Sequence, residues 1–460
     1  MPIAGPWFES SSRSRAWSAR TCVALAVDTF GHMLVPLPHF SSLRRMSMPR
    51  VSRVSVRTVI ACVILVGSSF SAHALEPLAA TYLDEALSAI ERMYYRSAEV
   101  DWAVQRATAA EQSQGARRPE HTYAAIVDTL IRLDPHATFF GGPVAAGAAT
   151  PVGMGVRFER RDGRFHVASV NPGSGAEEAG LAVGDVMIEV DGRPFHPMRV
   201  LGLATHVTQV GVVVERPGVT DPLVLEVPRR ASTAVDAHPT GALLDEGIGY
   251  LRLPGHGGNG MLDDGSDYAG VVQGLLVEFD GAGACGWIVD LRSSVGGNIG
   301  VTLAAIGPLL GTGSVGGFDD RGSLVEWRYS PATGGFQAGG NTMHRSPTTH
   351  IVRDQAAPVA VLVGPATNSA GEMVAVAFRG RDATRLFGRP TNGLSTWTRG
   401  ARLSDGAVVI VSAGATADRT GQRYDGAIEP DVLVAAGAVT DDATLDAALA
   451  WLRESDSCAR

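Results

Sequence analysis

Two short apolar runs in the second half of the chain, each closed by a tight turn, constrain the fold more than any other feature. Residues 287–291 read Trp-Ile-Val-Asp-Leu, apolar but for Asp290. Residues 358–363 read Pro-Val-Ala-Val-Leu-Val without interruption. Runs of this length bounded by turn residues read as strands buried on both faces. The first runs into Ser293-Ser294-Val295-Gly296-Gly297-Asn298. The second runs into Pro365-Ala366-Thr367-Asn368-Ser369, followed by a helical pattern over residues 372–378. Further strand candidates lie at 248–253 and 407–411, and a further helix at 445–452. Strands and helices therefore alternate from Gly247 onward, as in an α/β domain.

Upstream the pattern changes twice. Residues 75–140 read as helical: Leu83, Leu87, Ile90 and Tyr94 share one face, and a second helix through Ile131 stops at Pro135. A Gly/Ala/Pro-rich linker follows over 141–150. Residues 151–231 read as β-rich, with strands at 165–170 and 186–190 around Pro172-Gly173-Ser174-Gly175. With Gly184-Asp185 ahead of the second strand, this segment resembles a PDZ domain. That resemblance implies peptide binding, with the loop Gly153-Met154-Gly155-Val156 offering backbone N–H groups to a terminal carboxylate. A plain turn remains the simpler reading of that loop. The expected division is a targeting segment at 1–74, a helical region and linker at 75–150, a PDZ-like module at 151–231 and an α/β core at 232–460.

The chain has 45% hydrophobic and 19% charged residues, an ordinary globular balance. Its net charge of −8 hides a basic start, with eight arginines against Glu9 and Asp28 in residues 1–74. The acidic remainder argues against nucleic-acid binding, which needs cations to neutralise phosphates. The five arginines from Arg44 to Arg57, the apolar run 59–67 and Ala72-His73-Ala74 read as an export signal cleaved near Ala74. That run is short for a permanent anchor, so membrane contact is expected to be transient. Met46 or Met48 would make a more ordinary start for such a signal. Cys62 precedes the apolar run and fits a lipoprotein signal poorly. Of four cysteines, Cys285 and Cys458 lie in the body and are free to pair in an oxidising compartment. No Cys/His spacing suggests a metal.

Ser369 stands at a strand-to-helix junction, where free N–H groups and the helix dipole favour a developing anion. It is equally readable as a helix N-cap, with Glu372 completing a capping box. Thr367 stands where a nucleophile elbow has glycine, which argues against an α/β-hydrolase. The whole chain contains no lysine. This excludes a Walker A phosphate loop at Gly296-Gly297. It also excludes any Ser–Lys dyad.

The order of these segments resembles the carboxyl-terminal processing (tail-specific) serine peptidases. The segments are Asp134-Pro135-His136, the PDZ-like module, Asp290-Leu291-Arg292 with Gly296-Gly297, Ser369-Ala370-Gly371-Glu372, Gly393-Leu394-Ser395-Thr396 and Ile428-Glu429-Pro430-Asp431. The resemblance implies a ClpP/crotonase-like α/β peptidase core. It implies Ser369 as nucleophile, with an oxyanion hole from the N–H groups of Gly296 (or Gly297) and Ala370. It implies polypeptide substrates and neither a metal nor an organic cofactor. Leu394 stands where the Ser–Lys branch has its lysine, so the likeness is to the lysine-less, tricorn-like branch. In that branch the base is a histidine from the end of the helical region, which points to His136; His256 is the second candidate. Pro135 replaces a supporting serine of that branch, so Ser395 is expected to supply the hydroxyl. Asp425, ahead of Glu429, is expected to supply the carboxylate.

The reading is an exported serine endopeptidase, periplasmic or secreted, whose PDZ-like module binds or gates peptide ends. The alternative is a binding protein on the same core, like the retinoid-binding modules of this family, with Trp287, Trp327 and Trp397 lining an apolar pocket. A third reading is a PDZ scaffold with an inert core. The separation of Ser369 Oγ from the nearest histidine nitrogen discriminates peptidase from binder.

Overall fold

The computed structural model describes residues 75–142, 152–204, 206–231, 238–435 and 442–459. The expected export signal with its cleavage site, and most of the linker at 141–150, lie outside these residues.

The helical region comprises α1 (Pro77–Met93), α2 (Trp102–Gln112) and α3 (Tyr123–Leu133). Its apolar faces meet one another around Leu83, Leu87, Ile90, Ile126 and Leu130. The helical reading breaks down after Pro135, where Thr138–Phe140 forms a strand, β1. An X-Pro step disfavours continued helix, and the Thr-Phe-Phe that follows packs best when extended. This short strand carries the chain out of the helices and onto the peptidase side of the molecule.

The β-rich module is built from β2 (Val156–Arg161), β3 (Arg164–Val170), β4 (Val186–Val190), β5 (Gln209–Glu215) and β6 (Leu223–Pro228). They form one antiparallel sheet, with α4 (Pro197–Leu201) between β4 and β5. Strand β5 shows why: its burial alternates residue by residue, placing Val210, Val212 and Val214 in a small separate core.

The core sheet orders β7 (Thr240–Leu244), β8 (Ile248–Arg252), β9 (Gly286–Asp290), β14 (Val359–Val363), β15 (Thr384–Gly388) and β18 (Val432–Leu433). Apart from the β7–β8 hairpin its pairs are parallel. Both apolar runs are central strands, buried at every residue. Helices α5 (Tyr268–Gly281), α6 (Ile299–Leu310) and α7 (Ala370–Phe378) cover one face. The last helix, α8 (Ala443–Arg453), covers the other. It is tied down by a Cys285–Cys458 disulfide and by Arg292, which pairs with both Asp290 and Asp442 at 2.6 Å.

An antiparallel sheet built mainly from β10 (Gly313–Asp320), β11 (Ser323–Ser330), β12 (Gly335–Ala338) and β13 (Asn341–Arg345) was not foreseen. Gly313, Gly316, Gly317, Gly322, Gly334 and Gly335 break the apolar alternation that would have marked it. Finally β1 pairs with β17 (Val408–Gly414), which pairs in turn with β16 (Trp397–Arg402). This three-stranded sheet brings the end of the helical region beside the peptidase core.

Candidate active site

In a parallel sheet the loops leaving neighbouring strands lie side by side, and ligands bind at that edge. Here the loops after β9 and β14 are stitched together: the Asn368 N–H donates to the Ser294 carbonyl at 2.9 Å. Gly296 and Gly297 follow Ser294 with φ of +105° and +128°. A Cβ on Gly296 would lie 3.1 Å from the Ser369 Cβ, and one on Gly297 only 2.3 Å from the His256 carbonyl oxygen. The close approach of this loop to Ser369 therefore requires Gly296, and its packing on the His256 backbone requires Gly297. Among the described residues, neither the Gly296 nor the Ala370 N–H has a hydrogen-bond partner.

Ser369 itself has φ 49° and ψ −115°. A non-glycine residue there carries backbone strain of about 1–3 kcal/mol, which the surroundings must impose. Glu372 imposes it. Its fully buried carboxylate accepts from the Ser369 N–H at 2.9 Å, the Gly393 and Leu394 N–H groups at 2.8 Å and the Thr391 hydroxyl at 2.6 Å. Burial pushes this carboxyl up, and the four donors hold against that. Glu372 is thus more than a helix cap: it locks the Ser369 turn to the 391–394 segment.

His136 comes from the turn after α3, 233 residues before Ser369 in the chain. Its Nε2 lies 3.0 Å from Ser369 Oγ and its Nδ1 2.7 Å from Thr396 Oγ1. Thr396 Oγ1 lies 2.8 Å from Ser412 Oγ, which donates to Asp134 Oδ1 at 2.8 Å. A hydroxyl has one proton, so the direction of this chain follows from its end. Ser412 spends its proton on the carboxylate and must accept from Thr396. Thr396 must therefore accept from His136, whose proton is on Nδ1. Nε2 is left as the acceptor facing Ser369. Asp134 is held in turn by the Ser412 N–H at 2.6 Å and the His136 N–H at 3.0 Å. Burial pushes the His136 pKa below its ordinary value, and the nearby Asp134 charge opposes this.

Three expected residues are placed differently. Asp425 is exposed and ion-paired with Arg96 at 2.6 Å, with the Tyr95 hydroxyl 3.3 Å away. The cation just beyond α1 captures it, and Asp134 supplies the carboxylate near His136 instead. Ser395 turns away and donates to the Gly426 carbonyl at 2.7 Å, leaving Thr396 as the hydroxyl on the ring. His256 supports the glycine loop: its carbonyl accepts from the Asn298 N–H at 2.7 Å and its Nε2 from the Gly260 N–H at 3.2 Å. The loop Gly153, Met154, Gly155 and Val156 borders a cavity that also reaches Gly296 and Gly297. Trp287 and Trp327 are fully buried in the core, and Trp397 donates to the Asp319 carbonyl.

Residues 247–434 match peptidase family S41, and residues 152–216 match the PDZ domain. Residues 247–434 of this chain are thus similar to the peptidase domain of family S41. The chain is a serine-type peptidase acting on polypeptides. It is 27% identical over 388 residues to the chloroplastic C-terminal processing peptidase of Tetradesmus obliquus, covering 76% of this chain and 77% of that one. It is 28% identical over 183 residues to the nisin-resistance protein of Lactococcus lactis subsp. lactis, covering 40% and 55%. Its fold resembles that of the photosystem II D1 C-terminal processing protease, with a TM-score of 0.51 and 24% identity over 77% of this chain and 93% of that one.

Proposed function

We propose that this peptidase is an exported endopeptidase that cuts polypeptides through an acyl-enzyme on Ser369, with His136 as general base in place of the absent lysine. The observation that carries the reading is the 3.0 Å contact between His136 Nε2 and Ser369 Oγ. The tautomer with Nδ1 protonated leaves that nitrogen free to take the serine proton.

Ser369 Oγ attacks the scissile carbonyl carbon while its proton passes to His136 Nε2. The oxyanion accepts from the Gly296 and Ala370 N–H groups, which have no other partner among the described residues. The C–N bond then breaks, and the Nε2 proton leaves on the amine. His136, neutral again, takes a proton from water as that water attacks the ester. Collapse of the second tetrahedral intermediate frees the acid product and returns the proton to Ser369. The PDZ module feeds or gates the substrate chain. Export is supported by the basic and apolar pattern of residues 44–74 and by the Cys285–Cys458 disulfide, a bond favoured in oxidising compartments.

The test is hydrolysis of casein by the purified protein beside Ser369→Ala and His136→Ala, with active-site labelling by a fluorophosphonate. Loss of cleavage and of labelling in the serine variant, with its circular dichroism unchanged, supports the reading. Equal cleavage by wild type and Ser369→Ala rejects it. The apolar-ligand reading draws no support, since the three tryptophans are core or strand residues and His136 contacts Ser369.

A further inference from the structure

A cavity of about 760 Å³ lies between the PDZ module and the peptidase core. Its core wall is made where β8 and β9 end. The Leu253 N–H donates to the Asp290 carbonyl at 3.0 Å, which holds those two ends side by side. Arg252, the last residue of β8, and Ser293, three residues beyond β9, both line the cavity.

Neither side chain has a partner. Arg252 is half-buried, with no ion pair and no side-chain hydrogen bond among the described residues. Ser293 Oγ is shielded from water and is likewise unpartnered. Arg292 between them in sequence differs, since it is paired with Asp290 and Asp442. A guanidinium partly withdrawn from water gains when an anion completes it, and its planar fork matches a carboxylate bidentately. A shielded hydroxyl gains in the same way from an acceptor.

The charge around them has one sign. No aspartate or glutamate lines the cavity, although the chain as a whole carries −8. A third arginine, Arg157, stands exposed on the module's side. A cleft lined by one sign of charge focuses the field and draws in the opposite sign.

The pair also lies close to the chemistry. Gly255, three residues after Arg252, packs on the glycine loop: a Cβ there would lie 2.3 Å from the Gly296 carbonyl oxygen. Gly296 in turn lies against Ser369. A substrate chain that runs from the module to Ser369 therefore passes Arg252 and Ser293.

We infer that Arg252 and Ser293 form a subsite for an acidic side chain, that of an aspartate or glutamate within the substrate, on the module's side of the scissile bond. The group recognised is internal to the substrate, so the subsite is separate from any recognition of a free chain end. A neutral residue at that position leaves the guanidinium incomplete, and a lysine or arginine is repelled by it. The inference rests on the peptidase reading above, since it names a substrate class for that site.

The experiment measures binding, so it does not depend on turnover. Full-length Ser369→Ala protein is titrated into fluorescein-labelled decapeptides, with anisotropy as readout. Every peptide ends in three apolar residues and an amide, which removes the terminal carboxylate. The parent carries glutamine at five internal positions, and in each other peptide one of these is glutamate or lysine. At one position, or two neighbouring ones, glutamate is expected to bind at least tenfold more tightly than glutamine, and lysine no more tightly. Adding Arg252→Gln is expected to bring that ratio to about one, and adding Ser293→Ala to lower it about threefold. No gain at any position overturns the inference, as does a gain that survives Arg252→Gln or that lysine matches. An equal gain at every position reports only a diffuse positive field and overturns it too. Should Arg252→Gln lose its native circular dichroism, Ser293→Ala decides, and a ratio it leaves unchanged overturns the subsite. Failure of the peptidase reading registers separately, as casein hydrolysis that does not depend on Ser369.

Discussion

Asp134 and His136 are two residues apart, yet the carboxylate reaches the imidazole ring by way of side chains more than 250 residues downstream. Its Oδ1 accepts from Ser412 Oγ, which lies 2.8 Å from Thr396 Oγ1, which lies 2.7 Å from His136 Nδ1. Of His136 itself, the Asp134 carboxylate directly contacts only the backbone N–H. The relay thus sets the imidazole tautomer with two neutral hydroxyls between charge and base.

Breaking the relay should cost rate and not affinity. Thr396→Val removes the acceptor on Nδ1 at nearly constant shape. We expect kcat to fall about a hundred- to ten-thousand-fold with KM little changed, and Thr396→Ser to restore most of it. Steady-state kinetics on a peptide substrate decides. Equal loss in both variants would mean that packing at Thr396, not its hydroxyl, matters.

The pH profile follows from burial of the base. The neutral imidazole is the active form, and burial lowers its pKa from the ordinary value of about 6.5. As pH falls, kcat/KM should therefore hold below 6.5 and drop only once His136 protonates. An acid limb centred above 6.5 would contradict the neutral, buried base.

Glu372→Gln should be strongly destabilising although it is nearly isosteric. Four donors converge on the carboxylate, and an amide has one oxygen and adds two protons of its own. At a fully buried site the cost should be about 3 kcal/mol or more, read as a lower urea midpoint. Fluorophosphonate labelling of Ser369 should fall with it, because the strained turn loses its anchor.

Removing the Cys285–Cys458 disulfide should loosen α8 and spare the chemistry. The bond closes a separation of 173 residues, and its loss should cost about 2–5 kcal/mol. The Cys285→Ser/Cys458→Ser double variant should melt at lower temperature and keep its kcat when assayed well below that temperature. A drop in kcat there would show that α8 supports the catalytic loops through Arg292 and Asp290.

Much of the fold was legible because its signals are local. The two buried strands announced themselves as apolar runs, and Pro135 marked the end of α3. Ser369 stood out because a turn and a helix follow such a run. The glycine-broken strands over 313–345 left no such trace. Asp425 looked plausible on spacing alone, but Arg96 lies beside it in space.

The amino-acid order by itself determined the α/β core, the PDZ-like module and the exclusion of a lysine base. These depend on residue type and on contacts a few positions apart. Tertiary structure alone decided how His136 is oriented and charged. Antiparallel pairing sets Thr138 opposite Ile410, and Thr398 opposite Ser412. Side chains alternate faces along a strand, so a one-residue slip in either register would turn Ser412 away from Asp134 and Thr396. A hydrogen bond spanning 278 residues follows from that register, and no local pattern encodes it.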